Sequence, residues 1–170
     1  MKKKVISHIV DVAIENPKFM YQYADGEHIY VTDGHRAIRY REQINSNPQI
    51  KINAHSSVLG PIREKLNRMD SCVKYELPSK EDIKAGITEV AGKAYSVKVA
   101  WGNDKFAVNA RFLVKAMDAL NATVCYIDER NPGMSGIYLF EDDNLLGEVC
   151  EIIMPVSKIK YPNKTGFWKM

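Results

Sequence analysis

Two parts of the chain share one order of elements, and this repetition constrains the fold more than any other sequence feature. In each part an amphipathic helix precedes short alternating strands joined by tight turns. The first part begins with a helix predicted over 2–15, and the second with a helix predicted over 109–121. The pattern predicts an α+β domain with two helix-plus-antiparallel-meander halves, whose helices cover one face of the sheet.

The residue spacing supports each element of these halves. Pro17 ends the first helix, and Asn109 is a suitable N-cap for the second. Asp25-Gly26 and Asp33-Gly34 are turn signals between the strands of the first meander, which continues to Arg41. The second meander is predicted to contain three strands, at 123–128, 136–140 and 148–155.

The stretch from about 43 to 92 has no counterpart in the other half and is predicted to be an inserted helical segment. It contains a short strand at 51–54, a strand in CVKYEL and a helix that opens at Ser79. Between the two strands another helix is predicted, with one apolar face formed by Val58, Leu59, Ile62, Leu66 and Met69. Residues 158–170 form a basic and aromatic C-terminal tail that we expect to be loosely held.

Composition excludes several classes of protein. The 24 Lys and Arg residues exceed the 21 Asp and Glu residues by only three, far less than in a dedicated nucleic-acid binder. No apolar run is long enough to span a membrane, and polar residues interrupt the N-terminal segment that a signal peptide would need. The expectation is a cytoplasmic protein with no membrane partner. The three cysteines form no CxxC pair and are interpreted as reduced apolar fillers.

Motifs of the common enzyme classes are missing from the sequence. It contains no GxSxG, GxxxxGK[ST], GxGxxG or HExxH segment. Asp33 and His35 are two residues apart on a predicted turn, and no nucleophile is indicated that would complete a triad with them. We therefore predict no catalytic residues, no metal site, no cofactor and no enzymatic activity.

Cations on the predicted helices suggest contact with nucleic acid. Arg111 and Lys115 are four residues apart and project from the same side of their helix. Together with Lys2, Lys3 and Lys4 they are suited to backbone phosphates rather than to reading bases. The alternative is an ordinary solvated helix face, and Asp118, one turn beyond Lys115, favours it.

Two stretches of the sequence resemble one known family. VTDGHRAIRYRE resembles the ATDGHRLA-type segment of the bacterial sliding clamp, the β subunit of the replicative DNA polymerase. FAVNARFLVKAMDALNATVCYIDERNPGMSGIYLF and the later EVCEIIMPVSK resemble the end of a clamp domain, and together the similar regions cover about 1–42 and 94–157. A clamp subunit has three such domains, whereas this chain has room for one. The resemblance thus implies a single-domain relative (residues 1–157), of phage or mobile-element origin.

The resemblance also implies two functional surfaces. In clamps the TDGHR turn and the last strand help to line an apolar cleft for peptides of partner proteins. The matching positions here are Thr32, Gly34, His35, Arg36, Ala37, Ile153, Met154 and Pro155. The helices of clamps line the DNA channel, and the matching cations are Lys2, Lys3, Lys4, Arg111 and Lys115.

Two hypotheses follow from these surfaces. In the first, the chain is a non-enzymatic sliding-clamp-like protein that forms homo-oligomers, contacts the backbone of double-stranded DNA without sequence preference, and binds replication proteins through the cleft. In the second, it is a clamp-fold protein-binding module that uses the cleft but does not encircle DNA.

Overall fold

The helices and strands of the two halves follow the predicted order. The structure is a computed structural model that describes residues 1–41, 51–53, 57, 59–66, 71–84, 98–101, 106–130, 136–155 and 167–169. Its helices are α1 (Lys3–Glu15), α2 (Leu59–Leu66) and α3 (Ala110–Leu120). Its strands are β1 (Tyr21–Ala24), β2 (Ile29–Thr32), β3 (Arg36–Tyr40), β4 (Lys51–Asn53), β5 (Val73–Glu76), β6 (Lys98–Trp101), β7 (Phe106–Asn109), β8 (Val124–Ile127), β9 (Ile137–Phe140), β10 (Cys150–Ile153) and β11 (Phe167–Lys169).

The two meanders join into one sheet of eight strands, in the order β4-β1-β2-β3-β10-β9-β8-β5. The junction is the antiparallel pair β3–β10, in which Ile38 lies opposite Glu151. Each meander follows its own helix, so the predicted α+β architecture of two helix-plus-meander halves is confirmed. β4 extends one edge of the sheet in parallel with β1, and β5 extends the other edge antiparallel to β8.

Helices α1 and α3 pack against one face of this sheet. Their apolar stripes meet alternate residues of the central strands in a core that includes Val5, Ile9, Val12, Leu113, Leu120, Val31, Ile38, Leu139 and Ile153. Asn109 caps α3 as predicted, because its side-chain oxygen accepts a hydrogen bond from the backbone N–H of Arg111 at 2.9 Å. The two helices therefore present their polar sides to solvent on the same face of the domain.

Helix α2 lies on the opposite face, which differs from the expectation of helices on one face only. Its Leu59 and Leu66 pack with an apolar group formed by Tyr23, Tyr30, Ala37, Tyr138, Phe140, Cys150 and Ile152. The hydroxyl of Tyr138 donates a hydrogen bond to the backbone oxygen of Lys65 at 2.8 Å. Because so many large apolar side chains point to this face, the sheet needs a cover there, and the predicted insertion supplies it.

The rest of the predicted insertion and tail is described in part. Residues 80–84 are helical, and the hydroxyl of Ser79 accepts a hydrogen bond from the N–H of Asp82 as an N-cap would. Val58, Met69 and the predicted loop 43–50 lie outside the described residues. β11, within the predicted tail, pairs in parallel with β6, which also pairs with β7.

Candidate functional site

A cleft of about 300 Å³ lies between helix α2 and the ends of β2, β3 and β10. Ala37 and Ile152 form its floor and pair in register across the junction of the two meanders. Further lining residues are Phe19, Thr32, Gly34, Arg36, Pro61, Ile62, Lys65 and Met154. The lining is mostly apolar, and its volume is at the lower end of the range of ligand pockets, about 300–1,000 Å³.

The turn between β2 and β3 forms one wall of the cleft and is held by hydrogen bonds within the TDGHR segment. The hydroxyl of Thr32 donates to the backbone oxygen of Arg36 at 2.7 Å and accepts from the N–H of Gly34 at 3.0 Å. One carboxylate oxygen of Asp33 accepts from the N–H groups of His35, at 2.8 Å, and Arg36, at 2.9 Å. These side chains satisfy the backbone of the turn, so the wall is formed before any ligand arrives.

Gly34 occupies a position that other residues would fit poorly. Its φ is +92°, in the left-handed region that favours glycine. A Cβ atom added there would lie 2.9 Å from the ring of Phe19, another residue of the cleft wall. The exposed Gly34 therefore leaves its backbone accessible beside the cleft.

The side chain of His35 lies on the other side of this turn. Its ring stacks against Phe112 of α3 with centroids 6.2 Å apart, and it is not among the described residues that line the cleft. Its backbone oxygen accepts a hydrogen bond from the N–H of Met154 at 2.8 Å. His35 thus joins the turn to the end of β10 through its backbone.

The guanidinium of Arg36 is buried and connects the turn to both helices. Its Nε donates to Asp33 at 2.8 Å, its Nη2 donates to Glu15 of α1 at 2.9 Å, and its Cζ lies 4.4 Å from the centroid of the Phe112 ring. Arg36 is among the residues that line the cleft, but its guanidinium faces the helices and supports the turn from behind.

Glu151 and His8 extend this buried group and were not singled out from the sequence. The Nε2 atom of His8 lies 2.7 Å from a carboxylate oxygen of Glu151, and both side chains are buried. The sequence feature that could have identified them is a single acidic residue inside the otherwise apolar strand CEII, together with a histidine on the apolar stripe of α1. Charged residues in such positions are buried only with partners.

Strand β10 and the residue that follows it contribute alternate side chains to the cleft. Ile152 and Met154 line it, whereas Ile153 points to the core beneath α1 and α3. Successive side chains of a strand point to opposite faces, which separates Ile153 from its neighbours. Pro155 follows the strand, is partly exposed, and is not among the described lining residues.

The predicted DNA-contacting cations differ in their surroundings. The Nζ atom of Lys2 donates to Asp142 at 2.5 Å, and this bond raises the pKa of Lys2 and lowers the pKa of Asp142. Lys115 lies 4.0 Å from the carboxylate of Glu15. Lys3, Lys4 and Arg111 are exposed, with no ion pair to another described residue.

Within the described ranges, no cluster of His, Cys, Asp and Glu has the composition to hold a metal ion. No helix found in that part of the chain combines the length and apolar character that crossing a membrane requires.

Comparison with known proteins finds similar structures but no sequence relatives. No protein-family model matches the chain, and no curated protein is similar enough in sequence to count as a relative. The chain is similar to the Helicobacter pylori beta clamp bound to a DNA ligase peptide, with a TM-score of 0.37 and 16% identity over 76% of this chain and 40% of that chain. It is similar to a DnaN sliding clamp (DNA polymerase III subunit beta) from Bartonella birtlesii bound to griselimycin, with a TM-score of 0.39 and 12% identity over 76% of this chain and 54% of the clamp.

A third similar structure is the Helicobacter pylori beta clamp in complex with diflunisal, with a TM-score of 0.37 and 16% identity over 76% of this chain and 42% of that chain. All three are bacterial sliding clamps, the family to which the sequence resemblance points. The chain spans about half the length of these clamp chains, or less.

Proposed function

We propose that the chain is a non-enzymatic, sliding-clamp-like protein whose cleft binds short peptide segments of partner proteins in DNA replication. The observation that carries the proposal is the cleft itself, because five of the positions taken from the resemblance, Thr32, Gly34, Arg36, Ala37 and Met154, line one apolar cavity.

The chemistry of the cleft suits an extended peptide with apolar side chains. Ala37, Ile152 and Ile62 offer an apolar floor and wall, and Met154 is an adaptable contact at the rim. The exposed backbone of Gly34 lets a peptide main chain approach closely. Because the turn is held by Asp33 and Arg36 from behind, little ordering free energy opposes binding.

Peptide display tests this proposal. A library of random linear peptides is selected on the immobilised full chain, with counter-selection on a Met154→Glu variant, which places a charge on the rim. Selected peptides should bind the unmodified chain and the control Val73→Glu at least about tenfold more tightly than Met154→Glu, a difference of about 1.4 kcal/mol. Val73 is an exposed apolar residue on edge strand β5 and is not among the described residues that line the cleft.

The location of binding is checked independently by methyl NMR. The Met154 methyl signal, assigned with a Met154→Leu variant, should shift when a selected peptide is added. Peptides that bind Met154→Glu as tightly as the unmodified chain, and that leave the Met154 signal unchanged, would contradict the proposal.

Contact with the DNA backbone is a second candidate function, favoured by the exposed cations on the adjacent helices α1 and α3. Lys3, Lys4 and Arg111 lie on the solvent sides of these helices. Such contacts bind without sequence preference and weaken with salt, and a homo-oligomer would multiply the small number of cations per chain.

Fluorescence anisotropy with a labelled DNA duplex tests this second function. The variant Lys3→Ala/Lys4→Ala/Arg111→Ala should bind more weakly. The slope of the logarithm of its binding constant against the logarithm of the salt concentration should be shallower by up to about 0.9 for each lost phosphate contact. Lys74→Ala, an exposed cation on β5, is the matched control. Equal affinity and salt dependence in the triple variant and the control would exclude these helices as the DNA-contacting surface.

A further inference from the structure

Two adjacent leucines are exposed on the turn between β9 and β10. The side chain of Leu146 is 94% exposed and that of Leu145 is 47% exposed, the highest values among the large apolar side chains that the structure describes. A pair of apolar side chains in solvent at one point of the surface is typical of a contact site. We refer to residues 141–148 as the leucine turn.

The leucine turn is held in one conformation by its own polar residues. The carboxylate of Asp143 accepts hydrogen bonds from the N–H of Thr123 at 2.9 Å and from the hydroxyl of Thr123 at 2.5 Å. The side-chain oxygen of Asn144 accepts from the N–H of Leu146 at 3.1 Å. Asp142 and Asp143 both have positive φ, a conformation that costs free energy in residues other than glycine. The leucines are therefore presented in a fixed position, which reduces the entropy lost when they bind.

The cleft complements the leucine turn in both apolarity and charge. Its volume of about 300 Å³ is lined by apolar side chains, and Lys65 is on its wall. No acidic residue is among the described residues that line it. The leucine turn also carries the exposed Glu148 two residues after Leu146, so a leucine in the cleft would bring this carboxylate toward Lys65 on the cleft wall.

The leucine turn cannot reach the cleft of its own chain. The turn precedes β10, whereas the cleft contains Met154, which follows it. The length of this four-residue strand, roughly 13 Å, separates the leucine turn from Met154, and the two lie beyond opposite ends of β10. A cleft that receives this turn would therefore belong to a second copy of the chain.

We propose that the leucine turn of one copy docks in the cleft of a second copy. This inference rests on the binding cleft of the proposed function and names one occupant for it. The two surfaces differ, so the contact is head-to-tail and produces either a closed ring or an open filament. Peptides of other proteins compete with the leucine turn for the same cleft, so self-association and partner binding exclude each other at each cleft.

Complementation between two variants tests the head-to-tail contact. The turn variant Leu145→Asp/Leu146→Asp and the cleft variant Met154→Glu each retain one intact surface. Sedimentation velocity of the unmodified chain over a concentration range should show association, each variant alone should be monomeric, and an equimolar mixture should form a dimer that grows no further. Val73→Glu is the control and should associate like the unmodified chain.

A charge exchange provides a second test that does not depend on the folding of Met154→Glu. Lys65→Glu should weaken association at low salt, and Glu148→Lys in the other copy should restore it in the mixture.

A fluorescein-labelled peptide of sequence EDDNLLGE should bind the full-length turn variant, whose cleft is free of self-contact, and bind Met154→Glu at least about tenfold more weakly.

The outcomes separate this inference from the proposed function. Monomeric behaviour of the unmodified chain together with no binding of EDDNLLGE would overturn the self-docking, and display peptides that still depend on Met154 would leave the proposed function standing. Association that is lost in the turn variant but retained in Met154→Glu and Lys65→Glu would place the leucine turn on another surface and would also overturn the inference. If neither display peptides nor EDDNLLGE bind at the cleft, both the proposed function and the self-docking are rejected.

Discussion

The Nη1 atom of Arg36 lies 4.0 Å from a carboxylate oxygen of Glu151, and both side chains are fully buried. Neither of these two atoms has a hydrogen-bond partner among the described residues. The other atoms of the two side chains bond to Asp33, Glu15 and His8. This buried group joins α1 and β10 to the turn that forms one wall of the cleft.

Loss of the Arg36 charge should strongly destabilise the domain. Arg36→Met leaves the carboxylates of Asp33 and Glu151 buried without their cation, and we expect a loss of about 3–5 kcal/mol in the free energy of unfolding. Urea denaturation followed by circular dichroism measures it. Adding Glu151→Gln to Arg36→Met should recover part of the loss, and the exposed control Arg111→Met should change stability by less than about 0.5 kcal/mol. A loss below about 1 kcal/mol in Arg36→Met would show that the buried group contributes little.

Gly34 and Gly26 form a matched pair that separates backbone strain from steric contact. Both have positive φ, +92° and +95°, but a Cβ at Gly26 would meet nothing within 4 Å, whereas one at Gly34 would meet Phe19. Gly26→Ala should cost about 1–2 kcal/mol from backbone strain alone, and Gly34→Ala should cost more. Thermal and urea unfolding of both variants give the comparison. The excess should shrink in Gly34→Ala/Phe19→Leu, and equal losses in the two alanine variants would contradict the Phe19 contact.

The ion pair between Lys2 and Asp142 should make stability depend on pH in the acid range. The hydrogen bond from Lys2 holds the pKa of Asp142 below its ordinary value of 3.8. The stabilisation is therefore fully present above pH 3.8 and is lost as the pH falls through the lower pKa of the folded state. Asp142→Asn should be less stable than the unmodified chain at pH 7, with the difference shrinking toward pH 3. A difference that stays constant over this range, measured by urea unfolding at several pH values, would rule out the linkage.

The three cysteines should react with thiol reagents at different rates. Burial raises the pKa of the Cys125 and Cys150 thiols to about 12, so at pH 8 only about one molecule in ten thousand carries the reactive thiolate at either position. Cys72 is partly exposed. Ellman's reagent should label one thiol quickly in the native protein and all three after unfolding. Cys72→Ser should abolish the fast phase, and a remaining fast phase in that variant would show that a second thiol is accessible.

Local sequence patterns determined most of the architecture. The apolar stripes of α1 and α3, the Asn109 cap and the Asp-Gly turns depend on neighbours only a few residues away, and each is present as predicted. The order of these elements was sufficient to predict an α+β domain with two helix-plus-meander halves. Because helix periodicity and turn chemistry are local properties, a single sequence reveals them.

The composition of the cleft depended on tertiary structure. The sequence resemblance indicated Thr32, Gly34, Ala37 and Met154, but the wall formed by Pro61, Ile62 and Lys65 comes from the predicted insertion, which the resemblance does not cover. The contact between Arg36 and Glu151 likewise could not be predicted from the sequence, since the two residues lie more than a hundred positions apart along the chain and meet only when β3 pairs with β10. A buried charge requires partners that can come from any part of the chain, so only the packed structure decides which residues they are.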